Sequence, residues 1–521
     1  MEKILDQTGP WHYPILLLNA LGGFAYPWRV MALQFMAPKH LDYWCARPND
    51  SISVDEWKTA NEGVDIRCFV KVFDGSGSNT STARECDSWE YDHSQYTRTL
   101  TEEWNAVCGR EWLLGSSQSL MMAGMFGTLI FSHISDWYGR RRSLHISLVL
   151  SIIIGFSVAT TTTFWTFSLA RMANAAVGVG FYTLALESVG TSKRAMVAMS
   201  GDFAWFVGLL TFPIVTYNVR DWRLVQVFIA APDVINLMCT AFIDESPKWL
   251  VSMGRYEEAR ELLKKIVRRN DLQKIDVDFI IKEARDKIEA EKQVRGTLVD
   301  LFRGFTICRT TLACIMNYMA VVFIYYHLMY FTVDLGSNPY FNLVFMALSE
   351  APISLTSFFV VKFVRRQPMY TVTYVAIIIS LVALLFPPES ATTTRMTLAS
   401  IAKLSGQVTW SVLFVHISEV YPTHVRAMMT GVAHTTSRVS AVIAPLMQTL
   451  GDTTYSWLPI ALNVTLCAIG WASSFVLPET FGKSLPDTFH ESKRLLRGRT
   501  DGEKEKPKEI EIIEFNDTGI K

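Results

Sequence analysis

Residues 187–197 read ESVGTSKRAMV, and residues 419–429 read EVYPTHVRAMM. Each stretch places a glutamate seven residues ahead of an arginine, followed by Ala-Met. Two more pairs stand at nearly the same offset: SDWYGRRRS (135–143) answers to the weaker VKFVRRQPM (361–369), and DESPKWL (244–250) to LPETFGKSL (477–485). Three matched pairs predict a chain duplicated in parallel, one half following the other.

The chain around these motifs is apolar. Half of its 521 residues are hydrophobic and 19% are charged, against roughly 25% charged in an ordinary soluble chain. A bilayer core of about 30 Å takes about 20 apolar residues per helix. Twelve such segments follow: 13–36, 111–133, 143–163, 164–188, 195–217, 222–243, 308–331, 340–364, 369–387, 395–418, 427–450 and 455–477. The expected fold is an all-α membrane protein of twelve transmembrane helices in two six-helix halves. The start MEKILDQTGPWHYP reads as part of the mature protein and not as a cleaved signal. Its zero formal net charge argues for no nucleic acid and no strongly charged partner.

Lysine and arginine collect in GRRRS (139–143), TSKRA (191–195) and KFVRRQP (362–368), while ATTTTFW (159–165) and VDLGSNPY (333–340) are poor in cations. The cation-rich loops are therefore expected in the cytosol, with both termini. The expected divisions are 1–37, the N-terminus and first span; 38–110, an extracellular domain; 111–243, the rest of the first half; 244–305, a cytosolic helical insertion; 306–477, the second half; and 478–521, a cytosolic tail. The extracellular stretch carries Cys45, Cys68, Cys86 and Cys108, which can pair in three ways, and sequons at Asn49 and Asn79. Sequons at Asn463 and Asn516 fall in a span and in the tail, where glycans are not expected. In the insertion, Ala259, Leu262, Leu263, Ile266 and Val267 make one apolar helical stripe, with Glu261 and Lys265 as an i,i+4 pair on the wet side.

The loop SDWYGRRRS resembles a signature of the major facilitator superfamily. ESPKWL, SEVYPTHVRA and LPETFGKSLPDT resemble motifs of the organic cation, organic anion and carnitine transporters, solute carrier family 22, as do NVRDWRLVQ (218–226) and GRYEEA. The outer domain departs from the family in having four cysteines where six are common, and VKFVRRQPM lacks the usual Asp and Gly. The resemblance implies a plasma-membrane transporter working by alternating access. Asp136, Arg140, Glu187 and Arg194 of the first half, and Glu419 and Arg426 of the second, are its expected gating charges.

Arg438 lies inside the eleventh segment, between His434 and Pro445. A guanidinium at mid-membrane is costly and is expected to face a wet interior. In the family this position resembles that of the anion and carnitine carriers, whereas the cation carriers have an aspartate there. A guanidinium grips a carboxylate through two parallel hydrogen bonds. A fixed ion pair with Asp202 or Glu350 is the competing reading. Those two acids would otherwise meet a substrate ammonium or an ion. Tyr325 and Tyr326 resemble the tyrosine pair lining the cavity of the anion branch. With Trp205, Phe206 and Tyr182 they are the candidate aromatic walls, suited to a quaternary ammonium. Arg29, near an end of the first segment, is expected to snorkel outward.

The expected substrate is a small organic zwitterion, carnitine-like, betaine-like or amino-acid-like, or else an organic anion. Na+ or H+ is a possible coupling ion. No cofactor, metal site or enzyme activity is expected, and a monomer is. A membrane receptor that kept the fold without transporting is a rival of another class.

Overall fold

The computed structural model describes residues 1–49, 51–73, 81–178, 180–272, 276–291, 297–335, 338–352, 363–388, 390–455, 457–483, 486 and 491–492. The Asn79 sequon, the start of VKFVRRQPM and most of the tail lie outside them.

A helix occupies each of the twelve predicted segments. In the first half these are α1 (Tyr13–Met36), α2 (Trp112–Gly124 continuing as Thr128–Tyr138), α3 (Arg140–Val158), α4 (Phe164–Ala176, then Phe181–Ser188), α5 (Arg194–Asn218) and α6 (Trp222–Cys239). The second half has α7 (Phe305–Val333), α8 (Pro339–Glu350), α9 (Arg366–Ala383), α10 (Thr392–Val420), α11 (Thr423–Thr453) and α12 (Leu458–Ser474). Among the described residues, seven helices are long and apolar enough to cross a membrane. Backbone groups in lipid must be satisfied within the segment, which leaves an apolar run little choice but a helix. Pro445 lies inside α11, and Thr449 Oγ1 donates to the Pro445 carbonyl one turn back at 3.1 Å.

The sequence repeat reappears as geometry. In the first half Arg140 grips Glu187 through Nε and Nη2, at 3.0 and 2.8 Å, and Glu245 accepts the Arg141 N–H at 2.9 Å. In the second half Arg366 grips Glu419 at 3.1 and 2.8 Å, and Glu479 accepts the Arg366 N–H at 3.1 Å. The same three loops meet in both halves, so Arg366 replaces the lost signature as the counterpart of Arg140. Gly139 serves this junction: its φ of +104° suits glycine, and a Cβ there would stand 2.5 Å from Glu245 Oε2.

The halves meet at the end bearing the insert between α1 and α2. Lys39 Nζ reaches Asp334 at 3.2 Å and Asp452 at 2.5 Å, and Gln118 Nε2 donates to Tyr330 Oη at 2.9 Å. At Gly115 a side chain would collide with Thr449, its Cβ falling 2.0 Å from the hydroxyl. These contacts wall a second cavity of about 330 Å³ against the insert.

The insert contains two antiparallel ribbons that the sequence reading did not anticipate. Strand β1 (Tyr43–Cys45) pairs with β4 (Trp89–Tyr91), and β2 (Phe69–Phe73) with β3 (Ser81–Glu85). Disulfides Cys45–Cys86 and Cys68–Cys108 settle which of the three pairings this structure adopts. In the second insertion, helix Tyr256–Arg269 buries Ala259, Leu262, Leu263 and Ile266 against Ile4, Leu5 and Trp11. Lys265 there bonds Asp244 at 2.6 Å and not the expected Glu261, because Asp244 caps the same helical face from the end of α6.

Candidate functional site

A cavity of about 560 Å³ opens among the helices of the first half. Among its described lining residues every one but Arg438 comes from that half. Arg438 reaches across from α11 and is the second half's contribution to the wall.

The surroundings of Arg438 decide between the two readings of it. Its Nη1 lies 3.4 Å from Met125 Sδ, with the hydroxyls of Tyr26 and Tyr326 beside the guanidinium. Among the described residues it has no carboxylate partner. The predicted ion pairs with Asp202 and Glu350 do not form. Glu350 instead pairs with Lys403 of α10, whose ammonium also sits 4.9 Å from the centre of the Tyr325 ring. Glu350 and Tyr325 therefore lie outside the cavity wall, tied into the second half's packing. Trp205 bridges the two regions, lining the cavity while its indole N–H donates to Glu350 at 3.3 Å.

Asp202 is exposed on the cavity wall and, among the described residues, has neither ion pair nor hydrogen bond. Tyr182 lines the same wall and is 46% exposed. Phe206 is not part of the lining and packs against the bundle core beside Phe203, with ring centres 6.2 Å apart. Tyr326 is likewise behind the wall, where its hydroxyl supports Arg438. The tyrosine pair thus stands behind the described lining of the cavity.

Arg29 does not snorkel outward. It turns into the bundle and pairs with Asp233 of α6, which also accepts from Ser151 Oγ at 2.6 Å. Sequence reasoning missed Asp233, Lys403 and Arg171, although each is an ionisable residue within an apolar span, the signal that marked Arg438. Arg171, in α4, is 5% exposed and lines the cavity.

The predicted gating charges gather in two clusters. Arg140 holds Glu187 and also Asp136, the latter at 2.5 Å. Glu419 holds Arg366, and Thr480 Oγ1 donates to it at 2.6 Å. Arg426 instead donates to the Tyr421 carbonyl at 3.2 Å, and Arg194 is exposed with no ion-pair partner among the described residues. Both clusters join helices within one half; none of their described ion pairs crosses between halves.

Residues 69–489 match the family described as "Sugar (and other) transporter". The Drosophila melanogaster "Organic cation transporter protein" is 28% identical over 97% of this chain and 95% of its own. Human "Organic cation/carnitine transporter 2" is 29% identical over 78% and 74%. "Solute carrier family 22 member 6-A" of Xenopus laevis is 27% identical over 84% and 80%. Among solved structures, the inward open xylose transporter XylE of E. coli superposes with a TM-score of 0.62 at 16% identity, covering 91% of this chain and 98% of that one. The likeness gives the fold, that of the major facilitator superfamily. A multi-pass membrane protein with two repeated halves, a cavity among its helices and this family match is a transporter and not an enzyme, similar to members of solute carrier family 22: the chain belongs to the sugar (and other) transporter family.

Proposed function

We propose that this protein carries a small organic zwitterion, carnitine-like, betaine-like or amino-acid-like, across the plasma membrane by alternating access. Arg438 binds the substrate carboxylate, Asp202 meets the cationic end, and Trp205 and Tyr182 supply aromatic surface along the cavity. The observation that carries this reading is the cavity-facing guanidinium of Arg438, which has tyrosine hydroxyls and a thioether around it but no described acid. A buried cation without a counter-charge is costly, and an incoming carboxylate relieves that cost. A cavity of about 560 Å³ is within the range for small-molecule sites. The names of the relatives, an organic cation/carnitine transporter among them, agree with this substrate class.

In the proposed cycle the two halves rock about the cavity. The ion pairs of Lys39 seal the extracellular mouth in the present arrangement. Arg140, Glu187, Arg366 and Glu419 brace the loops at the cytosolic end so that each half moves as a unit. Both termini are cytosolic, the disulfide-bearing insert is extracellular with a glycan at Asn49, the protein works as a monomer, and Na+ or H+ drives uptake. An organic-anion substrate is the second reading, favoured by another unpaired cavity cation, Arg171.

The test is radiolabelled uptake of carnitine, glycine betaine and para-aminohippurate, with and without sodium, by wild type and Arg438→Ala at matched surface levels. The zwitterions are expected to accumulate and Arg438→Ala to abolish saturable uptake. Normal uptake by that variant removes the proposed role.

A further inference from the structure

Arg171 is the most exceptional charge in the bundle. Its side chain is almost wholly withdrawn from solvent, yet it lines the central cavity. Nη2 donates to Gln118 Oε1 and lies against Met121 Sδ, both at 3.1 Å. Nη1 is buried and has no hydrogen-bond partner among the described residues. The Phe167 ring centre stands 5.5 Å from the guanidinium carbon. Among the described residues no carboxylate pairs with it. A neutral amide, a thioether and a ring are weak company for a full positive charge away from water.

The other cavity charges are accounted for differently. Arg29 and Asp233 cancel. What remains is Arg171 from the first half, Arg438 from the second, and Asp202. The two guanidiniums, neither with a carboxylate partner among the described residues, also touch the same helix. Arg171 rests on the sulfur of Met121 and Arg438 on that of Met125, side chains four residues apart on α2. Four residues advance a helix by about 6 Å, so the two sulfurs stand about one turn apart, each a soft acceptor that a charged oxygen displaces.

Resting on the transport reading above, we infer that Arg171 is a second anion ligand and that the acidic group of the substrate is bridged between Arg171 of one half and Arg438 of the other. The class of ligand is a carboxylic acid whose oxygens reach both guanidiniums, with any cationic end directed to Asp202. Because the two ligands belong to different halves, the bound acid itself ties the halves together across the cavity. Occupancy then favours the arrangements in which both guanidiniums reach it, which couples binding to the rocking motion.

The experiment measures thermal stabilisation of the purified full chain by carnitine, glycine betaine and para-aminohippurate, with choline as the cation lacking a carboxylate, alongside uptake in cells. The variants are Arg171→Met, which leaves no buried charge, Arg171→Lys, which keeps the charge but not the fork, and Arg438→Ala. At matched surface expression, Arg171→Met is expected to raise the half-saturating concentration of the acids at least tenfold, while leaving any choline response within twofold. Arg171→Lys is expected to fall between. A purely structural role would move the acid and choline responses together. Acid affinity within twofold of wild type in Arg171→Met overturns this inference while leaving the Arg438 reading intact; unimpaired acid binding in Arg438→Ala overturns both. If Arg171→Met does not reach the surface, Arg171→Lys decides by the same criterion: wild-type acid affinity overturns the inference, and a selective loss supports it. A wild-type protein that none of the acids stabilises also overturns both readings.

Discussion

Lys403 and Glu350 form an ion pair whose side chains keep only 1% and 3% of their exposure. The pair joins α8 to α10, within the second half, and takes Glu350 out of the set of charges open to a substrate. Removing one member of such a pair strands the other, at a cost of about 3–5 kcal/mol, whereas removing both charges together is often close to neutral. Lys403→Met alone is therefore expected to lower thermal stability sharply. The double variant Lys403→Met/Glu350→Gln should regain most of it and keep uptake; a well-folded double variant without uptake would restore Glu350 as a ligand.

The matched clusters Arg140–Glu187 and Arg366–Glu419 predict a charge-swap result. Arg366→Glu is expected to lose surface expression through repulsion with Glu419, and Arg366→Glu/Glu419→Arg to recover at least part of it. Partial rescue is the realistic outcome, since Arg366 also donates to the Val364 carbonyl and Glu419 also accepts from Thr480. Surface biotinylation measures both.

The two disulfides close loops over sequence separations of 41 and 40 residues. In the chain-entropy account each contributes about 4 kcal/mol by restricting the unfolded insert. Substituting both cysteines of either bridge by serine should therefore destabilise the insert and reduce delivery to the surface. Peptide mapping without reduction should recover Cys45 with Cys86 and Cys68 with Cys108.

Within the insert, Glu90 accepts from the Arg47 N–H at 3.0 Å, the Trp44 indole at 2.9 Å and the Arg47 guanidinium at 2.8 Å. Burial pushes this carboxyl up, but those donors outweigh it and hold it below its ordinary value. The folded form thus binds its proton less readily than the unfolded one. The resulting stability is present above about pH 4.3, the unfolded value, and is lost as pH falls through the lower folded value. Hydrogen-exchange protection around Trp44 and Glu90, measured relative to the intrinsic rate at each pH, should fall on acidification through that window, and Glu90→Gln should blunt the change.

At the seam between the halves, Lys39 is the cation shared by Asp334 and Asp452. Its side chain is 39% exposed, so each pair is worth only about 0–1 kcal/mol. With two such pairs, Lys39→Ala should shift the balance toward an open mouth at the insert end by no more than about thirty-fold. A cysteine placed at Gln448, in the second cavity, should react faster with an impermeant maleimide applied to intact cells when Lys39 is removed. An unchanged rate would show that the Lys39 cluster does not hold the seam.

Much of this was written along the chain. Hydropathy placed the twelve helices, since a run of apolar residues meets its backbone requirements within itself whatever its neighbours do. The repeat placed the junction of Arg140, Glu187 and Glu245 because a duplicated loop keeps its local contacts. Arg438 stood out because a guanidinium deep in an apolar run is costly and needs either a partner or a wet interior. The ribbons of the insert escaped notice, being short strands held by long-range disulfides and not by local alternation.

Charge cancellation was beyond the sequence's reach. Arg29 and Asp233 are 204 residues apart, and whether two such groups meet depends on how distant helices are rotated and staggered against one another. A helix turns about 100° per residue, so a small change in packing moves a side chain from a cavity to a neighbour's carboxylate. The sequence alone marked Arg438, Asp202 and Glu350 as charges inside apolar spans; the tertiary structure decided that Arg29 and Glu350 are neutralised by partners while Arg438, Arg171 and Asp202 line the cavity with no ion-pair partner among the described residues.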